Sequence, residues 1–138
     1  MPPRIIIVGL GPGNPAQVTV EARRLLTGGF PVYFRTLKHP AAQYFARLIK
    51  IRKSFDHLYK NNPDFEQVYR DIVSCLLNAA QEHQTIVYAV PGHPSVGELT
   101  VERLRRLGSR IGVIIDTVAG LSWLEPLLSW LKVDLWTE

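Results

Sequence analysis

The chain has 138 residues, 46% hydrophobic and 20% charged, with a net charge of +4. That composition suits one domain with a real core and excludes disordered, fibrous and comfortably two-domain readings. No apolar run approaches the length of a membrane span, and the apolar stretch near the N-terminus is too short for a signal-peptide core.

Arg4 to Gly9 is β-branched and uniformly apolar, as expected of a strand buried on both faces of a parallel sheet. Thr19 caps a helix running through Thr27, which Gly28-Gly29 ends. Phe30 to Arg35 reads as a second strand. His39-Pro40 opens a helix over Pro40 to Leu48, with proline in the first turn. Residues 49–62 are basic and mixed, compatible with a short strand and a turn.

Asn62-Pro63-Asp64 is a helix start, and Phe65, Val68, Ile72, Cys75, Leu76 and Ala79 fall on one face behind it. The lone cysteine, Cys75, excludes an internal disulfide, suits a reducing, cytoplasmic setting and reads as a buried packing thiol. Thr85 to Val90 is another buried-type strand. Ser95 to Glu98 has capping-box spacing for a helix to about Leu107, stopped by Gly108. Ile111 to Asp116 is a further strand. Ser122 to Glu125 repeats the capping-box spacing for a final helix. That helix is apolar on nearly every side, with Trp123, Trp130 and Trp136 among its residues, so it needs cover from the core or from outside the chain.

Strand and helix alternate throughout, which predicts an α/β domain with a mostly parallel sheet flanked by helices. Ligands of such sheets bind beyond the carboxyl ends of the strands. Three glycine-containing turns fall there, Gly9–Asn14, Pro91–Pro94 and Ala119–Ser122, and parallel strands put all three on one rim. Any one of them alone reads as a sharp bend. Three together point to close approach of backbone to a ligand.

The first turn, VGLGPGNP, is spelled wrongly for a dinucleotide fingerprint. Asn14 stands at the third glycine position, Pro12 removes a phosphate donor, the helix starts late, and Arg35 ends the second strand where an acidic residue would hold a ribose. No G-K-[ST] follows, so it is not a Walker A loop. The loop Pro91-Gly92-His93-Pro94 is rigid and presents carbonyls rather than N–H groups, which suits an adenosine and an amino-acid tail better than a triphosphate. The four histidines have no metal-ligand spacing, and no metal site is expected. His39 belongs to a helix start; His93 either contacts a ligand or serves the loop. No nucleophile–base pair or paired carboxylates stand out, so no catalytic residue is named. The basic excess is scattered over residues 50–53 and 103–110 without aromatics, a solvated surface rather than a nucleic-acid face.

IIIVGLGPGNPAQVTVEARRLL resembles the opening of the tetrapyrrole (corrin/porphyrin) methylases, in which V-x-G-x-G-P-G precedes a Thr-capped helix. VYAVPGHPSVGE and VAGLSWLEP resemble that family's second and third loops, in the same order, so the likeness covers essentially the whole chain. The P-G-H-P-x-V-x-E wording is most similar to the subgroup fused to a MazG-type nucleoside triphosphate pyrophosphohydrolase. The resemblance implies that residues 1–138 are the N-terminal α/β domain, with the second methylase domain and any MazG domain outside this chain. It implies S-adenosyl-L-methionine as cofactor, a small-molecule methyl acceptor and a homodimer. It assigns Pro12, Gly92, His93, Val96, Ser122 and Trp123 to the cofactor cleft. His93 stands where most of the family has Asp, which leaves open a non-catalytic ligand-sensing or docking module as the alternative to a methyltransferase half.

Overall fold

The run from Arg4 to Gly9 forms strand β1, and its place in the sheet explains its composition. In the computed structural model, which describes residues 1–136, β1 is bonded on one side to β4 (Thr85–Val90) and on the other to β5 (Ile114–Val118), both parallel. With both edges paired and helices on both faces, only apolar side chains fit. Ile5, Ile7 and Val8 are fully buried. β2 (Val32–Phe34) continues the sheet beyond β4, and β3 (Arg52–Ser54) forms its edge, giving the parallel order β3-β2-β4-β1-β5.

Two helix layers sandwich this sheet. α1 (Val20–Leu26) and α2 (Pro40–Ala46) cover one face, where Ala22, Leu26 and Phe45 pack with Val8, Phe34 and Ala89. α4 (Phe65–His83) and α5 (Leu99–Ile111) cover the other, where Ile72, Leu76 and Leu104 pack with Ile5, Ile7 and Tyr88. Each buried Val, Leu, Ile or Phe among them contributes about 1.5–3 kcal/mol. The illegible residues 49–62 hold β3 and a short helix α3 (Asp56–Asn61). Thr19 caps α1 through the amide of Ala22, and a 3-10 turn, Pro15–Gln17, precedes it.

Several local expectations are corrected. Cys75 is exposed, not buried, and Phe65 is exposed as well, because the face of α4 that meets the sheet is centred on Ile72 and Leu76. Ser95 does not cap α5: the helix begins at Leu99 with no side-chain cap, and Glu98 is turned to another partner. Gly108 does not stop α5 either. It lies inside the helix where a β-carbon would press on Ile115 at 3.0 Å, and the turn is made by Gly112, at a φ of 75°. β5 therefore starts at Ile114 and runs to Val118. The last helix, α6 (Leu124–Leu131), contributes no buried residue, so it is not part of the core.

Candidate functional site

β1 and β4 are neighbours, yet the chain leaves them in opposite directions. From β1 it passes through α1 to β2, and from β4 through α5 to β5, on the other side of β1. Adjacent strands whose connections diverge leave a crevice outside their carboxyl ends, the usual ligand position in open α/β sheets.

The three glycine turns meet at this crevice. Gly11 and Gly92 exchange backbone hydrogen bonds, 3.2 Å from Gly11 N to the Gly92 carbonyl and 2.8 Å from Gly92 N to the Gly11 carbonyl. Both have positive φ, 74° and 67°, a conformation that costs glycine little and other residues more. The third turn closes against them: a β-carbon on Gly120 would lie 2.4 Å from the Gly92 carbonyl oxygen and 2.9 Å from Gly9 Cα. Side chains are excluded here because main chains touch.

Around that junction lies a cavity of about 320 Å³. The first turn supplies Gly11 and Pro12, the second Pro91, Gly92, His93, Val96, Gly97 and Glu98, and the third Ser122 and Trp123. All six residues expected at a cofactor cleft from the sequence, Pro12, Gly92, His93, Val96, Ser122 and Trp123, line this one cavity. His93 Nδ1 accepts a hydrogen bond from Ser95 N at 2.9 Å, which fixes its ring within the loop. Ser122 lies two residues ahead of the last helix: its hydroxyl accepts from Leu124 N, and Glu125 accepts from both the amide and the hydroxyl of Ser122. Those two bonds, the hydroxyl's first, hold the Glu125 carboxyl below its ordinary range.

Two polar side chains of the site were not assigned to it from the sequence. His39, read correctly as a helix start, also reaches across the crevice. Its Nδ1 accepts from Ala42 N at 3.3 Å, so its Nε2–H donates to the Gly11 carbonyl at 3.0 Å, which ties α2 to the first turn. Burial lowers its pKa, with the nearby Arg35 charge acting in the same direction, so the ring is neutral. Glu98 is the second. Its capping-box spacing masked it, but its side chain is only 8% exposed and Oε2 lies 3.1 Å from Arg35 Nε at the end of β2. That nitrogen is buried and off-axis for a full hydrogen bond. The ion pair is therefore imperfect, and burial, only partly offset by Arg35, pushes Glu98 up to about 7. The signal available in the sequence was Arg35 itself, a cation ending a buried strand and needing a counter-charge.

Among the described residues, no group of three histidine, cysteine, aspartate or glutamate side chains is placed to hold a metal, and no helix is long and apolar enough to cross a membrane.

The fold and these loops define a family. The Tetrapyrrole (Corrin/Porphyrin) Methylases match residues 4–137, and the chain belongs to that family. It is 36% identical over 131 residues to the uncharacterized protein YabN of Bacillus subtilis (strain 168), covering 95% of this chain and 27% of that one. It is 25% identical over 134 residues to the cobalt-precorrin-4 C(11)-methyltransferase of Methanocaldococcus jannaschii, covering 96% of this chain and 48% of the enzyme. The uroporphyrin-III C-methyltransferase of Thermus thermophilus, solved with S-adenyl homocysteine, superposes with a TM-score of 0.65 at 25% identity, over 92% of this chain and 47% of that one. The chain thus spans about half or less of the length of these relatives.

Proposed function

We propose that this chain is the S-adenosylmethionine-binding half of a methyltransferase acting on a small molecule. One observation carries the reading: three turns far apart in sequence converge on a single cavity beyond the ends of β1 and β4, whose onward connections run in opposite directions. The residues present fit an adenosyl group. The cavity volume of about 320 Å³ is within the range of small-ligand sites. Its wall includes bare backbone at Gly11 and Gly92, which lets a flat ligand approach the main chain. Pro12, Val96 and Trp123 add apolar surface, and Trp123, 63% exposed, offers an aromatic face at the margin.

Bound there, the cofactor supplies a methyl group on positively charged sulfur, which is already a good leaving group. What remains for this chain's residues is alignment and exclusion of water. The rigid Pro91–Pro94 loop and the paired Gly11 and Gly92 hold the wall in place, and His39 braces the first turn from behind. Calorimetric titration of the protein at its full natural length with S-adenosylhomocysteine tests the assignment: one bound molecule per chain is expected, and no binding at saturating concentration refutes it.

The exposed α6 supports a second element of the proposal. Trp130 is 79% exposed and Leu131 51%, on a helix with no buried residue. We assign this face to a second α/β domain, which would also wall the open side of the cavity beside Val96 and Trp123. The finer reading, fusion to a MazG-type pyrophosphohydrolase, is supported by the wording P-G-H-P-S-V-G-E of residues 91–98, and a homodimer is carried with it as part of the proposal. Mass and domain count of the natural gene product, with light scattering, test it. A module that senses the ligand without transferring a methyl is favoured instead if the cofactor binds and no acceptor is ever methylated.

A further inference from the structure

Glu98 is the lone carboxylate among the residues lining the rim cavity, and the same residue lines a second, smaller cavity of about 130 Å³ beside Arg35, Tyr59 and Thr100. It stands in the wall between the two. A side chain 92% shielded from solvent is an expensive place for a carboxylate, and its partner does not fully satisfy it, since Arg35 Nε lies 3.1 Å away without hydrogen-bond alignment. The other groups facing it are neutral phenols, Tyr59 from α3 and Tyr88 from β4, both held in the protonated form by burial. On the rim side stand His39, which is neutral, His93, and the exposed Glu125, whose carboxylate is taken up by the amide and hydroxyl of Ser122. Glu98 is thus the carboxylate that lines the cavity itself, shielded from solvent and only partly balanced by Arg35.

We propose that Glu98 is the charge-selecting residue of the cofactor site: its carboxylate recognises the positive sulfonium of S-adenosylmethionine and not the neutral thioether of S-adenosylhomocysteine. The inference rests on the cofactor reading given above and deepens it. The two ligands share the adenosine and the amino-acid tail, so their difference isolates one positive charge. Near neutral pH Glu98 is partly protonated, since burial pushes it up to about 7. Arrival of the sulfonium favours the ionised form, and the carboxyl proton leaves to solvent: Glu98–COOH becomes Glu98–COO⁻ and one H⁺. Once the methyl group had left, the sulfur would be neutral, Glu98 would face Arg35 alone as in the ligand-free protein, and the proton would return. The device would then favour release of the spent cofactor.

The experiment is calorimetric titration of the full-length protein at pH 7 with each ligand separately, repeated in buffers of different ionisation enthalpy to count protons exchanged. S-Adenosylmethionine is expected to release about half a proton more than S-adenosylhomocysteine, the fraction protonated when pH equals pKa. In Glu98→Gln the difference disappears. At pH 8.5 that variant binds S-adenosylmethionine about tenfold more weakly and S-adenosylhomocysteine within about twofold of the native protein, the scale set by one opposite charge within a few ångströms. His93→Asn keeps the proton difference, which separates Glu98 from the other titratable side chain of its own loop. The comparison on the native protein needs no variant to fold. Equal proton exchange by the two ligands, or loss of the difference in His93→Asn alone, overturns the proposal and leaves the cofactor assignment standing. Failure of both ligands to bind overturns the cofactor assignment and this inference together.

Discussion

Gly9 and Gly120 lie back to back at the carboxyl ends of β1 and β5. A β-carbon on Gly9 would come within 2.9 Å of Gly120 Cα and 2.4 Å of the Gly92 carbonyl oxygen, so one atom serves as the meeting point of three turns. No side chain relieves the crowding, because every partner is main chain.

Gly9→Ala and Gly120→Ala are therefore expected to destabilise the fold by about 2 kcal/mol or more, the scale of overpacking a tight interior. Urea denaturation measures it. The double variant is expected to cost less than the sum of the two, because both methyl groups press on the same carbonyl. Neutral single variants would mean that the turns are not packed as described.

His39 joins α2 to the first turn through both ring nitrogens. His39→Ala loses the helix cap and the tie to the Gly11 carbonyl, with an expected cost of about 1–2 kcal/mol. His39→Asn keeps a capping side chain and recovers part of that. The folded-state pKa of His39 lies below the unfolded one, so the unfolded chain takes up the proton first. The stability held by the neutral ring is present above about pH 6.5 and declines as pH falls below it.

Glu98 acts in the opposite direction. Its pKa is raised from 4.5 to about 7, so between those values the folded chain keeps a proton that the unfolded chain has lost. The associated stability is present in full below about pH 4.5 and is lost as pH rises through 7, by about 3 kcal/mol at most. Thermal unfolding of the native chain is expected to show this decline between about pH 5 and pH 8, and Glu98→Gln to flatten it. An unchanged profile in the variant would place the carboxyl in solvent.

On α6 the expectation is reversed. Trp130 is 79% exposed, and Trp130→Glu is expected to change the stability of residues 1–138 by no more than about 0.5 kcal/mol. If the proposed second domain covers α6, the same substitution in the full-length protein buries a charge and is expected to lower the melting temperature by several degrees. Equal effects in both would argue that α6 stays uncovered.

The alternation of strand and helix was legible in the sequence because buried parallel strands admit only apolar residues, as β1 and β4 do. The rim loops were legible because glycine and proline advertise backbone constraint at Gly11, Gly92 and Pro94. What was hidden was mostly tertiary. Residues 49–62 carry no periodicity, since β3 is an edge strand with two exposed residues and α3 buries none of its residues. Ser95 and Glu98 have capping spacing, yet a buried Arg35 competes for Glu98 more strongly than the free N–H groups of α5 do. Gly108 looked like a stop because glycine ends helices, whereas here it makes room for Ile115. Local pattern reports periodicity and turns; it does not report which charge sits beneath which loop.

The most direct measurement is a crystal structure of the full-length protein grown with S-adenosylhomocysteine. The expected density lies against Pro12, Gly92, His93 and Ser122, with the adenosyl group over the Gly11–Gly92 bridge. Density at another site, such as the groove between α4 and α5 near Arg70 and Arg106, with the rim cavity empty, would contradict the assignment.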